Sequence, residues 1–213
     1  KLLFSKGEAC DILMMSATPI PRSLALSIYG DLDISTITSY PFKKKEIKTR
    51  LFKSYDERIF NAIDLMLKNQ RKVYIVAPKI DFSSISDFSI DTLSQLFKAK
   101  YGEKVGVLTG RMNALEKASV LDKFIQGDTE ILLSTLVIEV GIDIDTASLI
   151  IIYGADNFGL ASLHQLRGRV GRDGYQSYCL LIYDEDDPKI LQRLKILENT
   201  NDGFKIAEED LVS

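Results

Sequence analysis

Residues 165–172 read QLRGRVGR, which puts Arg167, Arg169 and Arg172 on a short stretch broken by Gly168 and Gly171. Arginine offers a planar, permanently charged donor fork that suits phosphate, and glycine lets a backbone or a triphosphate come close. Supplied across a cleft to a bound nucleotide, such an arginine stabilises charge on a transferring phosphoryl group and speeds hydrolysis by roughly 10³ to 10⁵. A donor of this kind needs a separate phosphate acceptor. Taken alone, the same eight residues equally describe the solvated basic end of a surface helix.

Other strings in the chain admit related chemistry. MSATPIPR (15–22) follows an apolar strand and places the hydroxyls of Ser16 and Thr18 where open α/β sheets bind ligands. A turn fixed by Pro19 and Pro21 would look the same. LTGRM (108–112) sets Gly110 and Arg111 between a strand and a capped helix, a place for sugar-phosphate contact through backbone amides and a guanidinium. LLSTLVIEVGIDID (132–145) ends a strand at Ser134 and Thr135, then offers Gly141 and Asp143. Asp143 could accept from a ribose hydroxyl, or simply cap a buried crossover.

These strings need elements to position them. Seven β-branched runs, near 11–16, 48–53, 73–77, 104–108, 130–134, 148–153 and 177–183, alternate with helical patterns. That alternation predicts an α/β fold, a parallel β-sheet flanked by helices. One helix is expected from Ser54, capped with Glu57, burying Ile59, Ile63, Met66 and Leu67. A second opens at Asn113 with Glu116, buries Ala118, Leu121 and Ile125, and stops at Gly127. A third starts at Pro188 behind Asp187 and carries Ile190, Leu191, Leu194 and Leu197. The serine- and aspartate-rich stretch 81–91 reads as a loop, and Arg22–Tyr29 as a helix ended by Gly30.

Composition narrows the class. The 213 residues are 46% hydrophobic with a net charge of −3, so any phosphate-binding surface must be local rather than global. Apolar runs such as Leu149–Tyr153 are far too short for a membrane span, and no secretory leader is visible. Cys10 and Cys179 stand alone beside apolar runs, which predicts buried free thiols in a reducing cytoplasm and no metal site. His164, the sole histidine, reads as a packing or hydrogen-bonding residue.

In this order, SAT, GR, the ST-to-GID segment and QLRGRVGR resemble the motifs of the second half of a superfamily 2 helicase motor. YGDLDIS (29–35), FGLASLHQLRGRVGR (158–172) and ENTNDGFKIAEEDL (198–211) are similar to helicases of the RecG type, bacterial ATP-dependent enzymes that remodel stalled forks and branched recombination intermediates. The transcription-repair coupling factor shares the arginine segment but not YGDLD or the NDGF region.

The resemblance implies that two RecA-like domains clamp ATP between them. Arg169 and Arg172 would reach the γ-phosphate and Gln165 would sense it; Gly141 and Asp143 would line the nucleotide. Arg111, Gly110, Ser134 and Thr135 would hold DNA backbone, and Ser16 and Thr18 would couple the two events. It also implies branched or forked DNA, the first motor domain and a wedge domain as partners, no membrane, a monomer and a cytoplasmic setting.

Residues 1–40 would then be the edge of the first motor domain with a linker. Residues 41–185 would be the second RecA-like domain, and 186–213 C-terminal helices stopping before a translocation loop. The sequence has neither a GxxxxGK[ST] phosphate loop nor a DExx box, so ATP and Mg²⁺ would be held mainly by the first motor domain. The chain alone should hydrolyse ATP negligibly. Two other readings are a non-motor nucleic-acid-binding module and a doubly wound metabolic enzyme, the latter disfavoured by the lack of GxGxxG after any expected strand.

Overall fold

Strands that are apolar at every position, not at alternate ones, must be covered on both faces. The computed structural model satisfies that demand. It describes residues 46–54, 56–78, 88–135, 147–171 and 173–212, with the isolated positions 13, 15, 33 and 35. Among these described residues six strands form one parallel sheet: β1 (Lys48–Lys53), β2 (Lys72–Ala77), β3 (Val105–Leu108), β4 (Ile131–Thr135), β5 (Ala147–Tyr153) and β6 (Tyr178–Tyr183). They lie in the order β1-β6-β5-β2-β4-β3. Each lies within one residue of its sequence-predicted bounds at either end. Of the expected strand near 11–16 only Leu13 and Met15 are described, both exposed and neither in a strand, and the expected helix 22–29 lies outside the described residues.

Among the described residues six α-helices flank the sheet: α1 (Glu57–Lys68), α2 (Ile90–Tyr101), α3 (Ala114–Gln126), α4 (Leu160–Arg167), α5 (Pro188–Asn199) and α6 (Gly203–Val212). On one face Ile59 and Ile63 of α1 and Leu93 and Phe97 of α2 pack with Ile75, Leu133 and Ile151. On the other, Phe124, Leu163, Leu194 and Ile206 bring α3, α4, α5 and α6 onto Val76, Leu132, Ile150 and Leu181. The two C-terminal helices thus share a core with the sheet. The helix that follows β2, α2, lies on one face and the helix that follows its neighbour β5, α4, on the other, so the topological switch point of the sheet falls between these two central strands.

Local details depart from expectation in three places. Helix α1 is capped by Asp56, which accepts from the Arg58 amide, and not by Ser54. Ser54 is still tied to β6, its amide on the Tyr183 carbonyl and its hydroxyl 3.2 Å from Asp184. Helix α3 has the predicted Asn113–Glu116 capping box and the left-handed Gly127. Its buried residue is Phe124, however, while Ala118 and Ile125 are exposed and Leu121 is half-buried. It covers β3, the edge strand, so a narrow stripe suffices. The stretch expected as loop to Asp91 turns helical early: Ser89 caps α2, which begins at Ile90, and 79–87 lies outside the described residues.

Helix α5 opens with Pro188 behind the Asp187 cap and buries Leu194 and Leu197, with Ile190 and Leu191 half-buried. Cys179 is a buried free thiol whose pKa burial pushes up to about 12. Cys10 lies outside the described residues. Among the described residues no helix is long and apolar enough to cross a membrane, and no group of three His, Cys, Asp or Glu could hold a metal ion.

Candidate functional site

Helix α4 leads into the arginine segment and ends at Arg167. It starts beyond the carboxyl end of β5, with Gly159 as its N-cap, and buries Leu160 and Leu163 against the sheet. It then runs back along the sheet, and the Gly171 amide donates to the carbonyl of Ala147, the first residue of β5, at 3.4 Å. The three arginines, alike in sequence, do not share one environment.

Arg167 is only 2% exposed. Its Nη1 donates to the carbonyls of Leu197 (2.8 Å) and Thr200 (2.9 Å) and lies 3.4 Å from the Thr49 hydroxyl. Its Nη2 is 2.9 Å from His164 Nδ1. Because a guanidinium only donates, His164 accepts at Nδ1 and carries its proton on Nε2 when neutral. A permanent positive charge at the carboxyl end of α5 also meets the negative pole of that helix. Arg167 is therefore an internal tie between α4, β1 and α5, and His164 is part of it.

Gln165 and Arg169 are half-buried. No hydrogen bond or ion pair to another described residue holds the Arg169 guanidinium. Its charge acts on Tyr74, a buried β2 residue: burial pushes the phenol pKa up, while the hydrogen bond shared with Ser134 and the positive charge of Arg169 pull it down. Arg172 lies outside the described residues, as do Gly141, Asp143, Ser16 and Thr18.

At the carboxyl end of the sheet stands a second group. Leu108 pairs with Ser134 and Ala77 with Thr135, so the turn Gly110–Arg111 leaves β3 beside the end of β4. Gly110 and Arg111 are exposed; Ser134 and Thr135 are buried. Adjacent strand residues face opposite sides, so Ser134 and Thr135 present their side chains to different faces. The Ser134 hydroxyl is 3.0 Å from the Tyr74 hydroxyl. The fold thus gathers Arg111, Gly110, Ser134 and Thr135 at one sheet end, with Gln165 on the returning helix and Arg169 in the turn that follows it. Tyr74 stands between the groups. Nothing in the sequence marks Tyr74, since its partner Ser134 is 60 residues away.

A six-stranded parallel sheet flanked by helices on both faces is the RecA-like fold of a helicase C-terminal domain. The chain belongs to the helicase family: the helicase conserved C-terminal domain matches residues 56–174. Within it, the chain is 42% identical over 216 residues to the ATP-dependent DNA helicase RecG of Staphylococcus epidermidis, covering 99% of this chain and 32% of that protein. It is 45% identical over 220 residues to the RecG of Aquifex aeolicus, covering 99% of this chain and 28% of that one. The chain spans about a third of the length of these curated relatives. Among solved structures, RecG bound to a three-way DNA junction superposes with a TM-score of 0.76 at 39% identity, covering 92% of this chain and 26% of that one. The C-terminal domain of the DEAD-box protein Dbp5 shares the fold, with a TM-score of 0.52 at 20% identity, over 76% of this chain and 97% of that one.

Proposed function

We propose that this chain is the second motor domain of an ATP-dependent DNA helicase of the RecG type, acting on branched or forked DNA in the cytoplasm as a monomer. The observation that carries the reading is the contrast between Arg167, consumed by internal hydrogen bonds, and Arg169, half-buried on the same segment with no described partner on its guanidinium. A cation kept at the surface without a protein partner is suited to a ligand anion. ATP, when bound, supplies the phosphoryl group transferred to water; this domain's part is to place Arg169 and Arg172 against the developing charge, with Gln165 beside them. Gly141 and Asp143 line the nucleotide. The triphosphate and Mg²⁺ are held mainly by a first motor domain, of which residues 1–40 form the closing edge; residues 41–185 are the second motor domain and 186–213 its C-terminal helices.

DNA is held by its backbone, because a motor must tolerate every sequence. Arg111 with Gly110 and Thr135 make that contact. Ser134 takes part through the strand end it fixes, its hydroxyl being occupied by Tyr74. Ser16 and Thr18 couple the nucleotide and DNA sites.

The test uses the full-length protein. Arg169→Ala should lower DNA-stimulated ATP turnover by about 10³ and leave junction-DNA affinity within a few-fold. Arg111→Ala should weaken DNA binding and flatten its salt dependence. Unchanged turnover in Arg169→Ala with a sharp fall in DNA affinity would make that arginine a DNA ligand and refute the assignment. The 213-residue chain alone should turn over ATP at background rate; steady, DNA-stimulated turnover by it would refute the division of labour.

A further inference from the structure

The arginine segment is gripped a second time, by a residue that precedes it by about a hundred positions, and the consequence drawn here rests on the motor reading above. Arg71 lies in the turn between α1 and β2, immediately before Lys72. Its Nε donates to the Ser148 hydroxyl at 2.8 Å, and its Nη2 pairs with Asp173. The guanidinium carbon lies 4.5 Å from the centre of the Tyr175 ring. Ser148, the second residue of β5, is fully buried, and the Arg71 and Asp173 side chains are 16% and 25% exposed.

Most other ion pairs of the described residues are looser or wetter. Lys53–Asp186 and Lys100–Asp64 are about half-exposed on both sides, where solvent and salt leave little net attraction. Arg71 instead uses its planar fork on a hydroxyl, a carboxylate and an aromatic face at once, an arrangement that lysine cannot reproduce. It is a fixed geometry and not a floating surface pair.

The location of that geometry gives it meaning. Gly171 is anchored to the start of β5 through its amide on Ala147, and its left-handed φ of +81° packs it so closely that an added Cβ would stand 3.2 Å from Ser177. Asp173 and Tyr175 are anchored to the starts of β2 and β5 through Arg71. The single residue between the two anchors in sequence is Arg172. We propose that Arg71 is a positioning residue for the phosphate-facing arginines: through Asp173, Ser148 and Tyr175 it ties the chain that follows the arginine segment to the two central strands. Arg71 itself touches no nucleotide. It acts by removing slack, and a misplacement of about 1 Å in a catalytic group costs on the order of 10² in rate.

In the full-length protein, Arg71→Ala and Arg71→Lys should lower kcat for DNA-stimulated ATP turnover by roughly 10- to 100-fold, with KM for ATP and affinity for junction DNA within about threefold. Asp173→Asn should act in the same direction with a smaller loss. The reversed pair, Arg71→Asp with Asp173→Arg, should regain several-fold over either charge-reversed single variant. Thermal melts run alongside report folding at the assay temperature. A folded Arg71→Ala protein with kcat within twofold of wild type overturns the proposal. So does a reversed pair no better than its singles, or a kcat loss that vanishes once the assay is cooled well below the variant's Tm. Should Arg71→Ala not fold, Asp173→Asn decides: unchanged kcat overturns the proposal and reduced kcat supports it. A wild-type protein without ATPase, or an Arg169→Ala protein with full ATPase, sinks the motor reading. Normal behaviour of both with silent Arg71 and Asp173 variants sinks only the clamp.

Discussion

Replacing Arg167 and Arg169 in turn by alanine should separate a folding residue from one two positions away that we propose faces the nucleotide. Arg167 is 2% exposed and gives charge-assisted hydrogen bonds to the Leu197 and Thr200 carbonyls at 2.8 and 2.9 Å. Bonds involving a charged group contribute about 1.5–3 kcal/mol each. Thr200 is half-exposed, so water can partly replace its bond. Using the lower value for both bonds gives a loss of about 3 kcal/mol for Arg167→Ala. For a chain of this size that is a fall in Tm of roughly 6–12 °C. Arg169 is half-buried and has no hydrogen bond or ion pair to a described residue, so Arg169→Ala should stay within about 0.5 kcal/mol of wild type. Urea unfolding of the purified chain, followed by circular dichroism with m-values compared, measures both. Arg167→Lys, keeping the charge on a single bond, should fall between wild type and the alanine variant. A loss under about 1 kcal/mol for Arg167→Ala, or an equal loss for Arg169→Ala, would refute the division drawn between them.

Other consequences are equally open to measurement. Gly171→Ala forces a non-glycine residue to φ +81° with its Cβ 3.2 Å from Ser177. It should destabilise the chain by about 2 kcal/mol or more in the same urea experiment, and a loss below about 0.5 kcal/mol would contradict the packing described. The Cys179 thiol, buried with its pKa raised to about 12, should resist a disulfide reagent at pH 8 in a Cys10→Ser protein and react fully once unfolded. Rapid labelling of the native form would show that the thiol is accessible. Arg58 holds the Asp56 carboxyl at about 2 through its side chain and its amide. A depressed carboxylate contributes stability that is present above its unfolded value near 3.9 and lost as pH falls toward 2. The stability gap between wild type and Asp56→Asn should therefore narrow on acidification below about pH 4, and a gap that stays constant to pH 2 would rule out the Asp56–Arg58 linkage.

Much of the architecture is written locally. A strand that reads ASLIIIY has no polar face to offer water, so it must lie in the interior of a covered sheet, and β5 does. Asn113 with Glu116, Gly127, and Asp187 before Pro188 act through hydrogen bonds and backbone preferences within a few residues, so their spacing alone set the ends of α3 and the start of α5. Where two local signals competed, the distant partner won: Ser54 remained with β6 and ceded the cap of α1 to Asp56. The motif order likewise resembles that of a helicase motor.

What spacing left open was which like residue does which task. Arg167 and Arg169 are chemically identical, and only the arrival of the carboxyl end of α5 beside α4 turns one inward and leaves the other available. Ser134 and Thr135 are neighbours in sequence, yet the partner across the strand takes the Ser134 hydroxyl. Arg71 becomes meaningful through Ser148 and Asp173, 77 and 102 residues on. Hydrogen bonds within a turn are encoded where they form, whereas a buried charge acquires its role from whichever carbonyls and carboxylates the packed sheet brings to it.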